Sequence, residues 1–355
     1  MKRLSIIVPI YNVEPYVERC LQSLEDQDIP HGEYEIICIN DGSPDNSHDV
    51  VVRMQGEYNN IILIDQENQG VSRARNNGMA KASGEYLMMV DPDDYLKANV
   101  LKERLEIMDK NQLEVGLMGY TILSETMKEE YHYDPPHDSA NMMAGVDLLN
   151  KFWREAEGKE ERDPHRSVSM FFRTDFLKAH GLKYLVNVPY LEDGELMARI
   201  MCLAERTTFM NGQVYMRTTR PGSATHSPLY FSEKGRDGFL KAAHHLHAFK
   251  LAHCRSKAQV DFINDSIVHF TIMAITSLEI KHYIKHYSKL HGSLKKGPLK
   301  KLDTDGCSSL YKKMGRYYNC SMHCFYLYWT GYKIRESIKI EGMYYFGKLK
   351  RKKEA

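Results

Sequence analysis

Residues 84–96 read GEYLMMVDPDDYL. An apolar run stops abruptly on Asp91, Pro92, Asp93 and Asp94. Leu, Met and Val without polar alternation suit a strand buried on both faces, the kind found in parallel sheets covered by helices. Carboxylates crowded at its end repel one another. A divalent cation relieves that repulsion, and hard carboxylate oxygens suit Mg2+ or Mn2+, with a diphosphate filling the remaining positions. The same aspartates also read as a turn capping a helix that begins near Leu96.

Working outward, similar apolar runs occur at LSIIVPI (4–10), YEIICIN (34–40) and IILID (61–65). Amphipathic stretches separate them. Residues 14–25 place Val17, Cys20, Leu21 and Leu24 on one helical face, and residues 71–82 do the same with Val71, Ala74, Gly78 and Ala82. The alternation predicts an α/β fold with a mainly parallel sheet and flanking helices. In such a sheet the strand ends share one edge, where ligands bind. Tyr11 and Asn12 follow the first strand, Asp41 the second, and Asp91 and Asp93 the fourth.

Each strand end offers chemistry. VPIYN (8–12) offers Pro9, Tyr11 and Asn12 as candidate nucleotide-binding residues, with an aromatic ring that can stack on a base and an amide that can hydrogen-bond it. Asp41 in NDGSPDNS (40–47) is an acceptor for a base or ribose, or the start of an Asx turn. NQGVSRARNNG (68–78) offers backbone N–H groups at a helix start with Arg73 and Arg75, a cradle for a diphosphate or simply a capped surface helix. Neither G-x-G-x-x-G nor G-x-x-x-x-G-K is present, which counts against dinucleotide and P-loop enzymes. A sugar-nucleotidyltransferase usually carries a glycine-rich loop after its first strand, and PIYNVEP (9–15) has no glycine.

The order SIIVPIYN, INDGSPDNS, NQGVSRARNNG, GEYLMMVDPDD resembles the family 2 glycosyltransferases over about residues 1–225. The resemblance implies the GT-A nucleotide-diphospho-sugar-binding fold and an inverting, metal-dependent glycosyltransferase of hexosyltransferase type. It places Tyr11 on the nucleobase, usually uracil, with Asp41 as its hydrogen-bond partner. Asp91 and Asp93 match the D-x-D pair that meets ribose and metal, and Arg75 lies in the family's ARN segment near the diphosphate. The family's later Glu-Asp motif corresponds to LEDGEL (191–196). Asp193 stands at the usual base position, with Glu192 second, and a carboxylate at a helix start is held as an anion by the helix dipole. YMRTTRPGSATHS (215–227) resembles the stretch closing this domain, so Arg217, Arg220 or Ser223 could reach phosphates and His226 could complete the metal shell. The non-enzymatic alternative is a binding or scaffold protein that kept the fold and lost activity.

Further along, 97–110 reads as a helix, 114–123 as a strand, 127–141 as a loop, 167–177 and 207–217 as strands, and 190–205 as a helix with an acidic start. From Tyr230 the pattern turns helical, including 256–284. The boundary is expected between a catalytic domain at 1–228 and a smaller, mostly helical, basic region at 229–355.

The net charge of +1 conceals an asymmetry. Residues 281–355 carry 18 Lys+Arg against 5 Asp+Glu, and the rest carry 30 against 42. Basic residues mixed with Tyr, Trp and Phe suit an anionic membrane surface, in keeping with a glycan or lipid-linked glycan acceptor. Nucleic acid is the competing partner and is not expected; a solvated charged helical end is the plain alternative. Seven scattered cysteines, no secretory signal and no spanning segment point to a cytoplasmic protein, peripheral at the inner membrane face if the basic tail docks there. The histidines of AAHHLHAF (242–249) read as surface residues.

Overall fold

The computed structural model describes residues 2–133, 142–154, 168–220, 228–277, 290–292, 294, 297–333 and 335. The first half alternates as expected: β1 (Leu4–Ile10), α1 (Glu14–Glu25), β2 (Tyr34–Asn40), α2 (Ser47–Glu57), β3 (Ile61–Asp65), α3 (Val71–Lys81) and β4 (Tyr86–Met89). These four strands are parallel in the order β3-β2-β1-β4. Pairing of Ile10 with Asn40, Asn40 with Asp65 and Ile7 with Met89 brings their carboxyl ends to one edge.

Alternate residues of these strands face two separate apolar cores, which is why no polar alternation is visible. Leu4, Ile6, Val8 and Ile10 of β1, with Ile36 and Cys38 of β2, pack on Val17, Leu21 and Leu24 of α1 and on Val51 and Met54 of α2. Ile7, Ile37 and Ile39 point the other way, toward Ala74 and Met79 of α3. Burying each such side chain is worth about 1.5–3 kcal/mol. Gly78 lets α3 lie directly on β1, because a Cβ there would sit 2.5 Å from Ile7 Cγ2.

The sheet continues through β5 (Tyr95–Leu96), β6 (Val115–Leu123), β7 (Glu129–Tyr133), β8 (Met170–Arg173) and β9 (Thr207–Thr218), in the order β4-β8-β6-β9-β5 with β7 beside β6. Here β8 runs antiparallel to β4 and β6, while β6 and β9 are parallel. The helices are α4 (Leu101–Asn111), α5 (Gly145–Arg154), α6 (Thr174–Ala179), α7 (Glu192–Leu203), α8 (Glu233–His253), α9 (Lys257–Thr276) and α10 (Ser309–Cys320).

Three expectations need correction. Residues 129–133 are not loop: a tight turn with Met127 at φ 60° folds them back on β6, and Tyr131 and Tyr133 pack against Tyr120. Residues 134–141 lie outside the described chain. The strand expected over 167–177 stops at Arg173, opposite Tyr86, where β4 begins. Beyond it Thr174 turns the chain, its Oγ1 donating to Gly84 O at 2.7 Å, and α6 starts. The Asp91–Asp94 turn caps no helix. Tyr95–Leu96 pairs with β9, and α4 starts at Leu101 without a side-chain cap.

The expected boundary near 228 falls just before α8. Apolar packing crosses it, since Phe239, Ala242 and Leu246 of α8 and Ile263 and Ile267 of α9 join one core with Leu196 and Ile200 of α7. Of the helix expected over 256–284, α9 accounts for the described part. It opens with a capping box between Ser256 and Gln259.

Candidate active site

The carboxyl edge of β1–β4 presents the expected residues, in different states. Tyr11 is 48% exposed and Asn12 is exposed with φ 53°, whereas Pro9 is buried within β1. Asp41 is buried. Its Oδ1 accepts from Gln66 Nε2 at 2.6 Å and Gln69 N at 2.8 Å, and its Oδ2 from Gly70 N at 2.8 Å. The loop amides expected to cradle a diphosphate are thus turned onto Asp41. Arg73 is exposed on α3.

Arg75 is the hub of the site. It is 3% exposed, and its guanidinium reaches three carboxylates. Nη2 donates to Asp91 Oδ1 at 2.7 Å, and Nη1 to Glu192 Oε1 at 3.0 Å and Asp193 Oδ1 at 3.1 Å. The ring of Tyr184 lies 5.1 Å from the guanidinium carbon, and Asn76 holds the Tyr184 backbone through both its N–H and its C=O. Burial by itself would make Arg75 easier to deprotonate. Asp193, Tyr184, Asp91 and Glu192 outweigh it and hold the cation well above its ordinary range.

Glu192 and Asp193 are the first two residues of α7. Leu191 enters the helix in the left-handed region (φ 58°), turning both carboxylates toward the sheet edge. Burial, reinforced by Asp193, pushes Glu192 up to about 7 against the pull of Arg75. A carboxyl raised in the folded state holds its proton to higher pH than in the unfolded chain. Stability should therefore fall as pH rises from about 4.5 to about 7. Glu192→Gln is expected to flatten that slope and to gain roughly 1–3 kcal/mol at pH 8 relative to pH 5. Urea unfolding at the two pH values checks it; parallel profiles for the two proteins would refute the burial of a titrating Glu192.

The DPDD run divides its labour. Asp94 is structural: Oδ1 accepts from Thr218 N at 2.7 Å and Oδ2 from Tyr215 Oη at 2.8 Å, while Tyr215 Oη accepts from Asp91 N at 3.0 Å. Burial, then Asp93 and Asp91, raise the Asp94 carboxyl well above the ordinary range. Asp93 is also raised, by burial and then by Asp91, although Arg220 Nε donates to its Oδ2 at 2.5 Å. Arg19 Nη2 donates to Asp93 O at 2.8 Å, tying α1 to the same turn.

Asp91 and Asp93 are the described residues suited to a divalent cation. Their mutual repulsion is a site-level reason for one, and an arginine takes one oxygen of each, leaving the other. Among the described residues no group of three His, Cys, Asp or Glu could complete a shell, so further ligands would have to come from a bound molecule such as a phosphate. Ser223 and His226 lie outside the described residues.

Sequence reasoning missed Tyr184, Tyr215, Thr218 and Arg19, which carry no local signature. It named Arg220 only as a phosphate candidate. It also read His245 as a surface residue. His245 Nδ1 lies 2.6 Å from Oε1 of Glu195, a fully buried carboxylate that also holds Arg199 on α7. The i, i+4 spacing of Glu195 and Arg199 was the available signal.

Comparison with known proteins agrees with this architecture. The glycosyl transferase family 2 model matches residues 5–174. The uncharacterized glycosyltransferase EpsJ of Bacillus subtilis (strain 168) is 30% identical over 225 residues, 63% of this chain and 63% of that protein. The minor teichoic acid biosynthesis protein GgaB of the same organism is 30% identical over 56% of this chain and 21% of its own. The chain thus spans less than two thirds of either relative. The crystal structure of S. aureus TarS 1-349 in complex with UDP-GlcNAc matches with TM-score 0.61 and 20% identity, over 83% of this chain and 80% of that one. The sheet is that of the GT-A fold, and residues 5–174 match the glycosyl transferase family 2 model.

Proposed function

We propose that this protein transfers a sugar, with inversion, from a nucleotide-diphospho-sugar to a hydroxyl of a glycan or lipid-linked glycan in polysaccharide assembly. The observation that carries this reading is the convergence on Arg75. One guanidinium joins Asp91, at the donor end of β4, to Glu192 and Asp193, at the start of α7. A donor motif and a base motif are thereby held within one side chain's reach. The family match supports the reaction class, and the names of GgaB and of the UDP-GlcNAc complex of TarS support a UDP-sugar and a cell-wall-type polymer.

In this reading Tyr11 stacks on the base and Asp41 accepts from it once the 66–70 loop releases its amides. Arg73 and Arg75 face the diphosphate. Asp91 and Asp93 would hold Mn2+ or Mg2+, which would neutralise charge on the departing diphosphate. Asp193 takes the proton of the acceptor hydroxyl, which attacks the anomeric carbon from the face opposite the nucleotide. Residues 1–228 supply this chemistry, and 229–355 meet the acceptor or an anionic membrane at the inner face of the cell. No described helix is long and apolar enough to cross a membrane.

The test is thermal unfolding with UDP, GDP, CMP or dTDP, each with and without Mn2+. At about 100 times its Kd, a nucleotide should stabilise by about 2.7 kcal/mol. Asp91→Asn/Asp93→Asn should abolish the metal-dependent part of that shift. If no nucleotide moves the transition, the donor site is refuted and a scaffold remains.

A further inference from the structure

The chain from Gly306 to Arg335 contains no Asp or Glu, but holds Lys312, Lys313, Arg316, Lys333 and Arg335. It forms α10, a break at Ser321 with extended φ and ψ, and a second helical segment at 322–333. Its inner face is anchored. Met314, Tyr318, Met322 and the fully buried Phe325 join the core shared with α9, and Tyr318 Oη donates to Leu299 O at 2.6 Å.

Its outer face is unusual for a water-exposed surface. Leu327 is 77% exposed, Leu310 39% and Tyr317 38%. Tyr317 stacks on Tyr328 across the two helical pieces at 4.4 Å between centroids; Tyr328 and Trp329 are half-buried against the core, and Trp329 stacks on Tyr332 at 5.5 Å. Lys313 Nζ lies 5.4 Å from the Tyr328 ring centre and Lys333 Nζ 5.0 Å from that of Trp329. Leu310, Lys313 and Tyr317 share one stripe of α10 by helical spacing. All five basic side chains are exposed.

We propose that this two-helix element, residues 309–333, is the surface by which the protein docks on a bilayer rich in anionic lipid. The proposal extends the acceptor reading to a specific face but stands on its own observations. Exposed apolar side chains beside lysines are suited to the headgroup layer, where Leu327, Leu310 and Tyr317 reach the acyl boundary while the ammonium groups meet lipid phosphates. Nucleic acid fits less well. Single strands need open ring faces for bases, and here Tyr317 and Tyr328 cover each other while lysines cover Tyr328 and Trp329. An exposed leucine gains nothing from a polyphosphate.

The experiment is co-sedimentation of the full chain with phosphatidylcholine vesicles, alone or with 30% phosphatidylglycerol, at 0.1 M salt. Binding is expected only to the anionic vesicles. Lys312→Glu/Lys313→Glu/Arg316→Glu should weaken it on the order of 100-fold. Leu327→Ser should weaken it several-fold at unchanged charge, which a purely electrostatic contact would not show. Equal binding to neutral vesicles, no binding to either, or an unaffected triple variant overturns the proposal. So does displacement of vesicles by an equal phosphate concentration of single-stranded oligonucleotide. UDP-dependent stabilisation, measured on the same samples, reports on the donor site separately: its loss refutes the donor reading and leaves the docking result intact.

Discussion

Arg75→Met is expected to destabilise the fold by about 3–5 kcal/mol near pH 7.5, and to do so less at pH 5. Methionine keeps much of the side-chain length but removes a cation that Asp91, Glu192 and Asp193 share. Glu192 and Asp193 are only 15% and 19% exposed, so water compensates poorly for the missing charge. Removing one partner of a buried ion pair costs about 3–5 kcal/mol because the other is left uncompensated. The pH dependence follows from the sign of the Glu192 shift. Its proton is already held to about 7, and loss of Arg75, which pulls that value down, raises it further. Acid protonates the stranded carboxyl and removes part of the penalty, so the deficit shrinks as pH falls. Urea unfolding of both proteins at pH 7.5 and 5 measures it. A deficit under 1 kcal/mol, or one equal at the two pH values, would show that the three carboxylates do not depend on this arginine. Adding Glu192→Gln to Arg75→Met should recover part of the loss, since it removes one of the stranded charges.

The second large effect concerns chemistry rather than stability. Asp193→Asn should lower kcat by about 10²–10⁴-fold while leaving nucleotide affinity within roughly twofold, as expected for loss of a general base. Asparagine keeps the shape and an oxygen acceptor toward Arg75 but takes no proton. Glu192→Gln provides the comparison, because both carboxylates touch the same guanidinium nitrogen at 3.0 and 3.1 Å. If Glu192→Gln alone abolishes turnover and Asp193→Asn does not, the two roles exchange. If both abolish nucleotide binding instead, the pair is part of the donor pocket and not the base. Single-turnover sugar transfer beside nucleotide titration separates these outcomes.

Much of the fold was legible because its determinants are local or follow from chain order. The apolar runs at 4–10, 34–40, 61–65 and 86–89 alternate with amphipathic helices, and parallel pairing then places Tyr11, Asp41 and Asp91 at one edge without further information. The errors lie where a tertiary partner decides the outcome. Residues 129–133 are polar enough to read as loop, and become a strand because β6 offers an unpaired edge. The run at 167–177 reads as a long strand, and is cut at Arg173 because β4 has only four residues to pair with.

The sequence by itself determined the parallel half of the sheet, the residues on its carboxyl edge and the basic C-terminal region. Each depends on residue type, periodicity or chain order. Only the tertiary structure decided what those residues do to one another. Arg75 meets Asp91 across 16 positions but Glu192 and Asp193 across 117 and 118, and Arg220 meets Asp93 across 127. No periodicity records such separations. Sequence reading placed Asp41 and the loop amides as separate candidate ligands, paired Asp91 with Asp93, and gave Asp94 no role beyond the turn. In the fold Asp41 holds the 66–70 loop amides and Asp94 braces β9, while Asp91 and Asp93 each give one oxygen to an arginine. The physical reason is that a charge's role is set by its partners and its access to water, and both are properties of the folded chain.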